Sequence, residues 1–271
     1  MKGIANYFVF DKLHTNFKRE FVAGVTTFVS MAYILFVNPS VLGASGMDKG
    51  AVFTATAVSA AFACLVMGLY AKYPFASAPS LGINAFFTYS VCIGMHIPWQ
   101  TALAGVFVAS IIFLLVTVLK LRETIINSIP EDLKYAISAG IGLFIAFVGL
   151  QDGKIIIADK STLVGLGSIH GAVWVTLFGL LATALLLILN VPGAIFIGMV
   201  LGAIFGIVMG YIPMPHHFVP AIPSLKPTFG VALHHLGSIN TVQMWIVVFT
   251  FLLVTFFDTT GTLIGLAQQG G

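Results

Sequence analysis

Long apolar stretches dominate the chain and alternate with short polar ones. A helix that crosses a bilayer needs about 20 mainly apolar residues, and stretches near this length recur along the whole sequence. Prolines, asparagines or basic residues end most of them, and Asn190-Val191-Pro192 leaves only a tight turn between the sixth and the seventh. The pattern predicts an all-α polytopic membrane protein with about eight spans, at roughly 21–44, 51–71, 78–96, 99–119, 133–150, 170–189, 192–212 and 241–266.

The third of these stretches lacks the pattern of a straight helix. Pro74, Pro79 and Gly82 disfavour a helix at its start, and Asn84 stands where a helix can resume. The residues therefore predict a broken span, in which an extended entry is followed by a half-helix. Broken spans are tolerated where they line a cavity, and transporters bind their substrates there. The alternative is a kinked, fully packed helix in which Asn84 is bonded to a neighbour.

Composition excludes the soluble classes of protein. Of the 271 residues, 59% are hydrophobic and only 8% are charged, whereas soluble domains carry about 25% charged residues. A soluble enzyme, a nucleic-acid binder and a disordered chain are excluded, because none could present so apolar a surface to water. We therefore expect membrane lipid to surround the chain, and we expect no nucleic-acid partner.

Basic residues predict the orientation in the membrane. If the N-terminus is cytoplasmic, eight of the twelve Lys and Arg lie on the cytoplasmic side and four lie outside, as the positive-inside rule favours. The chain is then a multi-pass protein of the cell membrane. Residues 121–132 would be a cytoplasmic amphipathic segment, and 151–168 and 213–240 would be external loops, the second one extended because it holds five prolines.

Asp258 is the one acidic residue of nine that falls inside a predicted span. A carboxylate at that depth costs about 2.5–3.5 kcal/mol on insertion. Thr255 and Thr262 share its helix face, and Thr259 follows it directly. This polar face predicts a substrate or proton site that lines a cavity. An aspartate that binds the backbone or a hydroxyl group of a neighbouring helix is the structural alternative.

No second catalytic group accompanies Asp258, so an enzyme is not predicted. The seven histidines fall at span ends or in loops. The pairs His216-His217 and His234-His235 have no Cys or acidic residue nearby, which argues against a metal site. The sequence predicts neither a metal nor a cofactor.

Four glycines of the seventh span recur every fourth residue and share one helix face. Such a face lets another backbone approach closely. We expect tight packing inside the chain, and a homodimer contact is the alternative. The glycines are Gly198, Gly202, Gly206 and Gly210.

Four stretches carry a resemblance to a known family. They are AGVTTFVSMAYILFVNPS from Ala23, APSLGINAFF from Ala78, Gly149-Leu150-Gln151 with the isoleucines at 155–157, and FFDTTGTLIG from Phe256. Long, ordered and spread over most of the chain, they resemble the AzgA-like purine permeases, a branch of the nucleobase–cation symporters.

The resemblance implies a fold of fourteen helices in two inverted seven-helix repeats. A core domain is built from helices 1–4 and 8–11, a gate domain is built from 5–7 and 12–14, and helices 3 and 10 begin as short strands that meet in mid-membrane. This chain would hold the first repeat and one helix more, which makes it the N-terminal part of a longer permease. Its parts would be a cytoplasmic N-terminus (1–20), core helices 1–4 (21–122), gate helices 5–7 (123–212), an external loop (213–240) and core helix 8 (241–271).

The resemblance also implies a function and a site. Such permeases move hypoxanthine, guanine or adenine with protons. By position, Asn84 matches the asparagine of the third helix near the base, and Asp258 matches the acidic motif of the eighth helix, where it would bind ring N–H groups or carry the coupled proton. Asn84 and the half-helix N–H groups would read acceptor atoms of the base. The neighbours Ile83, Ala85, Phe86 and Thr259 complete the predicted substrate site.

One residue departs from the family pattern. Relatives are expected to carry a second acid one turn before Asp258, where this chain has Thr255.

Two alternative functions are left open. One is a transporter of uracil, xanthine or an anion on the same fold, although no basic residue lies in mid-membrane to bind an anion. The other is a membrane scaffold without transport activity.

Overall fold

A computed structural model describes residues 6–8, 10, 15–120, 130–214 and 222–270, with the backbone alone described at 131, 133–135, 137–138, 141 and 260–270. The predicted segment 121–132 therefore lies mostly outside the described residues. Helices make up most of the described chain. In chain order they are α1 (Phe17–Met31), α2 (Ile34–Gly43), α3 (Lys49–Leu65), α4 (Leu81–Ala85), α5 (Trp99–Val118), α6 (Glu131–Asp152), α7 (Ala172–Ile188), α8 (Ala194–Val208), α9 (Val231–His234) and α10 (Val242–Gly270).

The first predicted span consists of two helices rather than one. The Asn16 side chain caps α1 by accepting a hydrogen bond from the Arg19 N–H over 3.0 Å. The chain then turns at residues 32–33 before α2 begins. The N–H groups of Leu35 and Phe36 bond to carbonyls three residues back, the tighter spacing of a 3₁₀ turn.

The predicted break in the third span is confirmed. Residues 72–80 are not helical, and α4 begins at Leu81 and continues as a π-helix over Phe86–Gly94. The helix resumes three residues before Asn84, because Ser80 caps it: the Ser80 Oγ accepts from the Ile83 N–H over 3.4 Å. The short strand that the family resemblance implied is absent from the described segment 72–80, since a strand needs a partner backbone.

A β-hairpin occupies part of the predicted loop 151–168, which corrects the all-α prediction. Strands β1 (Ile156–Asp159) and β2 (Leu163–Leu166) pair antiparallel, with Ile156 opposite Leu166. The other predicted loop, 213–240, is not wholly extended. Its described part contains α9 and a 3₁₀ turn over Leu236–Ile239.

The chain divides into two compact units. The described residues of the first fall within Met1–Phe36, Thr56–Ala78 and Leu150–Pro220. Within it α7 packs on α8, where Gly202 and Gly179 face each other. Gly198, Gly202 and Gly206 are buried there, so the prediction of packing inside the chain is confirmed for these three. Gly210 lies beyond the end of α8 with a φ of 73° and is exposed.

The second unit falls within Val37–Ala55, Pro79–Gly149 and Ala221–Gly271. Helix α10 packs on α5, and the π-helix and the 3₁₀ turn add to the same core. Phe251 of α10 is its largest fully buried side chain, and Val91, Val247 and Val248 belong to the same buried cluster. This unit contains every predicted site residue.

Apolar side chains cover much of the outer surface. Phe21, Phe62, Leu181 and Ile188 are each between 69% and 75% exposed, which suits contact with lipid rather than water. The prediction of a membrane protein with several apolar helices is confirmed. Among the described residues, four helical stretches are long and apolar enough to span (Phe17–Gly43, Lys49–Ala71, Trp99–Val118 and Val242–Thr259), and four apolar helices are shorter (Leu81–Gly94, Gly142–Asp152, Ala172–Ile188 and Ala194–Val208).

Candidate functional site

Asn84 is paired with another asparagine. Its Nδ2 donates a hydrogen bond to the Asn38 Oδ1 over 2.5 Å. Asn84 lies in the first turn of α4 and is half-buried, whereas Asn38 lies in α2 and is 2% exposed. The broken span and an Asn84 bonded to a neighbour, which the sequence analysis treated as alternatives, therefore occur together.

The half-helix meets α10 through aromatic rings. Phe86 packs edge-on against Phe251 with ring centroids 5.4 Å apart, and Phe87 packs against the same ring at 6.3 Å. Phe87 is buried in the core, and Phe86 keeps part of its surface free. Of these two rings, Phe86 is the one that could also contact a ligand.

Asp258 lies on the same face of α10 as Phe251. A separation of seven residues is close to two full helical turns, which places Asp258 about 10 Å further along that face. Its side chain is half-buried, and no hydrogen bond joins it to another described residue. The carboxylate is thus close to the line along which α10 meets the half-helix, but the structure does not bring it into contact with Asn84.

The threonines beside Asp258 differ in their surroundings. The Thr255 hydroxyl donates to the Phe251 carbonyl over 2.7 Å, one turn back along its own helix. Thr259 is half-buried next to the carboxylate. The side chain of Thr262 lies outside the described residues. Thr255 therefore already has a backbone partner at the position where relatives are expected to carry an acid.

Two other predicted site residues are mainly packing residues. Ala85 is 3% exposed, and Ile83 is half-buried against the core of the second unit. Their side chains hold the half-helix in place. Polar chemistry at this predicted site is left to Asn84, Asp258 and Thr259, with Phe86 as the aromatic surface.

Sequence reasoning missed three residues around this region. Asn38 and Phe251 contact predicted site residues directly. Thr88, one turn after Asn84, is fully buried, and its Oγ1 has no hydrogen-bond partner in the described chain. Asn38 had a visible signal, since it is a polar residue directly before Pro39 in an apolar run.

A cavity in the described chain lies elsewhere. It measures about 520 Å³ and belongs to the first unit, where α1, α3 and residues 73–76 enclose it. Its walls are mostly apolar, with Glu20, Thr27 and Cys64 as polar exceptions. None of the predicted site residues lines it.

No three His, Cys, Asp or Glu side chains in the described ranges come together in a way that could hold a metal ion. His216 and His217 lie outside those ranges. His234 and His235 fall at the end of α9, and His235 Nδ1 lies 3.0 Å from the Val231 carbonyl.

The helices, their apolar surfaces and the interrupted third span define a multi-pass membrane protein. The model of the Permease family (Xan_ur_permease) matches residues 18–271, and the chain belongs to that family. The chain is 52% identical to the guanine/hypoxanthine permease PbuG of Bacillus subtilis (strain 168), over 98% of this chain and 62% of that protein.

Two further relatives carry related names. The chain is 42% identical to the guanine/hypoxanthine permease PbuO of the same organism, over 95% of this chain and 60% of PbuO. It is 37% identical to the adenine permease AdeP of Escherichia coli (strain K12), over 95% of this chain and 57% of AdeP. The chain thus spans about three fifths of the length of these curated relatives, and each of them is named as a permease.

Proposed function

We propose that the protein containing this chain is a secondary transporter of purine nucleobases. It imports hypoxanthine, guanine or adenine across the cytoplasmic membrane with protons, by alternating access. The observation that carries the proposal is the 52% identity to a guanine/hypoxanthine permease over 98% of this chain. Membership of the Permease family supports it.

The chemistry of the predicted site suits a flat, polar ring. A purine offers ring N–H donors, carbonyl or ring-nitrogen acceptors and a π-face. Asp258 accepts from a ring N–H or carries the coupled proton, Asn84 supplies an amide, and Phe86 supplies an aromatic edge. A base that leaves one of these polar groups unpaired loses about 1–3 kcal/mol of binding, which gives selectivity.

The remaining architecture follows from the family resemblance. Residues 21–122 and 241–271 belong to the core domain, 123–212 belong to the gate domain, and the N-terminus is cytoplasmic. The core moves against the gate, so that the site opens to one side of the membrane at a time. A homodimer would use a face other than Gly198 and Gly202, which pack against α7.

Uptake of labelled bases tests the proposal. Cells that express the complete gene are given labelled hypoxanthine, guanine or adenine, with uracil and xanthine as competitors. We expect purine uptake that a protonophore abolishes, and loss of that uptake in Asp258→Asn and Asn84→Ala. Asp159→Asn, which alters an exposed acid in the hairpin, is the matched control and should transport normally. Uptake of uracil alone would overturn the purine assignment, and normal uptake in both site variants would overturn the site.

A further inference from the structure

Asn38 is a buried amide that the proposed mechanism leaves unused. It is 2% exposed and lies next to Pro39 in a mostly apolar helix. Burial of an amide is costly unless its groups are hydrogen-bonded. The Oδ1 of Asn38 meets this need by accepting a hydrogen bond from the Asn84 Nδ2.

The bond between the two amides has a direction. Asn84 supplies the N–H and Asn38 supplies the oxygen. If the Asn84 side-chain amide alone flipped by 180°, its oxygen would face the Asn38 oxygen at hydrogen-bond distance, and the two oxygens would repel each other. If both amides turned over together, the bond would form again with donor and acceptor exchanged. The pair therefore couples the orientation of the Asn84 amide to that of Asn38, and in the structure Asn84 is the donor.

This orientation decides what Asn84 can offer to a ligand. Its Nδ2 lies on the Asn38 side, so its Oδ1 occupies the other branch of the amide. No other described residue donates a hydrogen bond to that oxygen. The free oxygen is an acceptor, and its natural partner is a ring or amino N–H group.

We propose that Asn38 is a positioning residue for the substrate site. By fixing the Asn84 amide, it leaves the Asn84 Oδ1 to accept a hydrogen bond from an N–H of the nucleobase. The inference rests on the proposed function for its substrate class and deepens it, because the sequence alone suggested that Asn84 reads acceptor atoms. A freely turning amide would pair with either a donor or an acceptor, whereas a fixed one rejects the base that presents an acceptor at that place.

The test uses the protein from the complete gene. It measures the constants with which hypoxanthine, guanine and adenine inhibit uptake of a labelled base. Asn38→Leu removes the acceptor, and Asn38→Asp keeps one. Thr54→Val is the matched control, since Thr54 is 9% exposed in the same unit and donates one hydrogen bond to the Pro223 carbonyl over 2.9 Å. Thermal unfolding of Asn38→Leu, Asn84→Ala and the double variant is recorded without ligand.

We expect Asn38→Leu to raise the inhibition constant of the tightest-binding base about tenfold. The ratio of the inhibition constants of the weakest-binding and the tightest-binding base should become smaller. Asn38→Asp and Thr54→Val should keep that ratio within about twofold. In the double-mutant cycle measured by thermal unfolding, the double variant should lose little more stability than the less stable single variant. The reason is that Asn38→Leu and Asn84→Ala remove the same hydrogen bond.

The positioning role of Asn38 and the proposed transport of purines can be overturned by different results. Unchanged selectivity in Asn38→Leu overturns the positioning role. Additive losses in the unfolding cycle overturn the pairing itself, whether or not a base binds. If the unaltered protein binds none of the three bases, the proposed function is overturned, and with it the substrate contact of Asn84.

Discussion

Cys64 and Ser77 are joined by two hydrogen bonds. The Ser77 N–H donates to the Cys64 sulfur over 3.2 Å, and the Cys64 thiol donates to the Ser77 carbonyl over 3.3 Å. Ser77 lies in the non-helical segment 72–80, where it has no regular helical hydrogen bonds to satisfy its own N–H and carbonyl. Because backbone groups inside a membrane must be paired within the protein, one thiol satisfies both backbone groups of a residue in the broken span.

Removal of this thiol should loosen the segment 72–80. We expect Cys64→Ala to lower the free energy of unfolding by about 1–2 kcal/mol, the scale of one or two lost buried hydrogen bonds. Hydrogen exchange of residues 72–80 should accelerate. Cys64→Ser should keep most of the protection, since a hydroxyl both donates and accepts.

Cys92→Ala is the matched control for this prediction. Cys92 is also a free, half-buried cysteine, but it packs against the core of the second unit. Its removal should leave exchange at 72–80 unchanged. Equal protection of that segment in Cys64→Ala and in the unaltered protein would contradict the stabilising role of the thiol.

Thr88 presents the opposite case, a buried hydroxyl without a partner. Its side chain is fully buried, and its Oγ1 makes no hydrogen bond in the described chain. Other threonines, such as Thr250, bond to the carbonyl four residues back. Thr88 lies in the π-helix, where the spacing of carbonyls differs from that of an α-helix.

Thr88→Val should therefore be neutral or stabilising. An unpaired buried hydroxyl costs about 1–3 kcal/mol, and valine has nearly the same shape without that cost. The measurement is the unfolding temperature, with Thr54→Val as the control that loses a bond and should be less stable. A clear loss of stability in Thr88→Val would mean that a water molecule or a ligand is bound to the hydroxyl.

The broken third span could be predicted from the sequence because its causes are local. Pro74 and Pro79 stand in the chain next to the helix start that they affect. The helix was predicted to resume at Asn84 but begins three residues earlier, because its start depends on the cap from Ser80. The β-hairpin also had a local signal, because three isoleucines precede Asp159 and a polar turn.

The pairing of polar residues could not be predicted in the same way. Asn38 and Asn84 are 46 residues apart in the chain, and the contact depends on how the first and third spans pack. The same limit applies to Phe251, which in the sequence is one apolar residue among many and in the structure contacts the rings of Phe86 and Phe87. Single-sequence patterns locate polar residues in spans but do not say which of them meet.

The glycine face of α8 allows a further prediction about packing. A Cβ atom on Gly198 would lie 1.9 Å from the Thr183 Oγ1 and 3.0 Å from the Thr183 Cα. The second contact is with backbone, so a change of rotamer cannot relieve it. We expect Gly198→Ala to lower the free energy of unfolding by about 1–3 kcal/mol through overpacking between α7 and α8.

Gly142→Ala in α6 is its control. A Cβ there meets no atom within 4 Å, so alanine should be neutral or should stabilise the helix by up to about 1 kcal/mol. Thermal unfolding of both variants makes the comparison. Equal unfolding temperatures for the two would mean that α7 and α8 are not packed as closely as described.

Asp159 should make the hairpin sensitive to acid. Its Oδ1 accepts from the backbone N–H groups of Thr162 (2.9 Å) and Ser161 (2.8 Å), and from the Thr162 hydroxyl (3.1 Å). These bonds favour the charged form and hold the pKa of the Asp159 carboxyl below its ordinary value of 3.8. Since the folded pKa is the lower one, the stabilisation is fully present well above pH 3.8 and is lost as the pH falls through that ordinary value toward the folded one.

Hydrogen exchange of residues 156–166, corrected for the intrinsic effect of pH, measures this response. We expect protection in the unaltered protein to hold from pH 7 down to about pH 5 and to fall in more acidic solution, toward and below the ordinary carboxyl pKa. Asp159→Asn keeps one acceptor oxygen but has no charge to lose, so its protection should be lower at pH 7 and nearly constant with pH. A fall of the same size in the variant would show that another group controls the hairpin, because the Asp159 carboxylate is the acceptor that the turn residues Ser161 and Thr162 share.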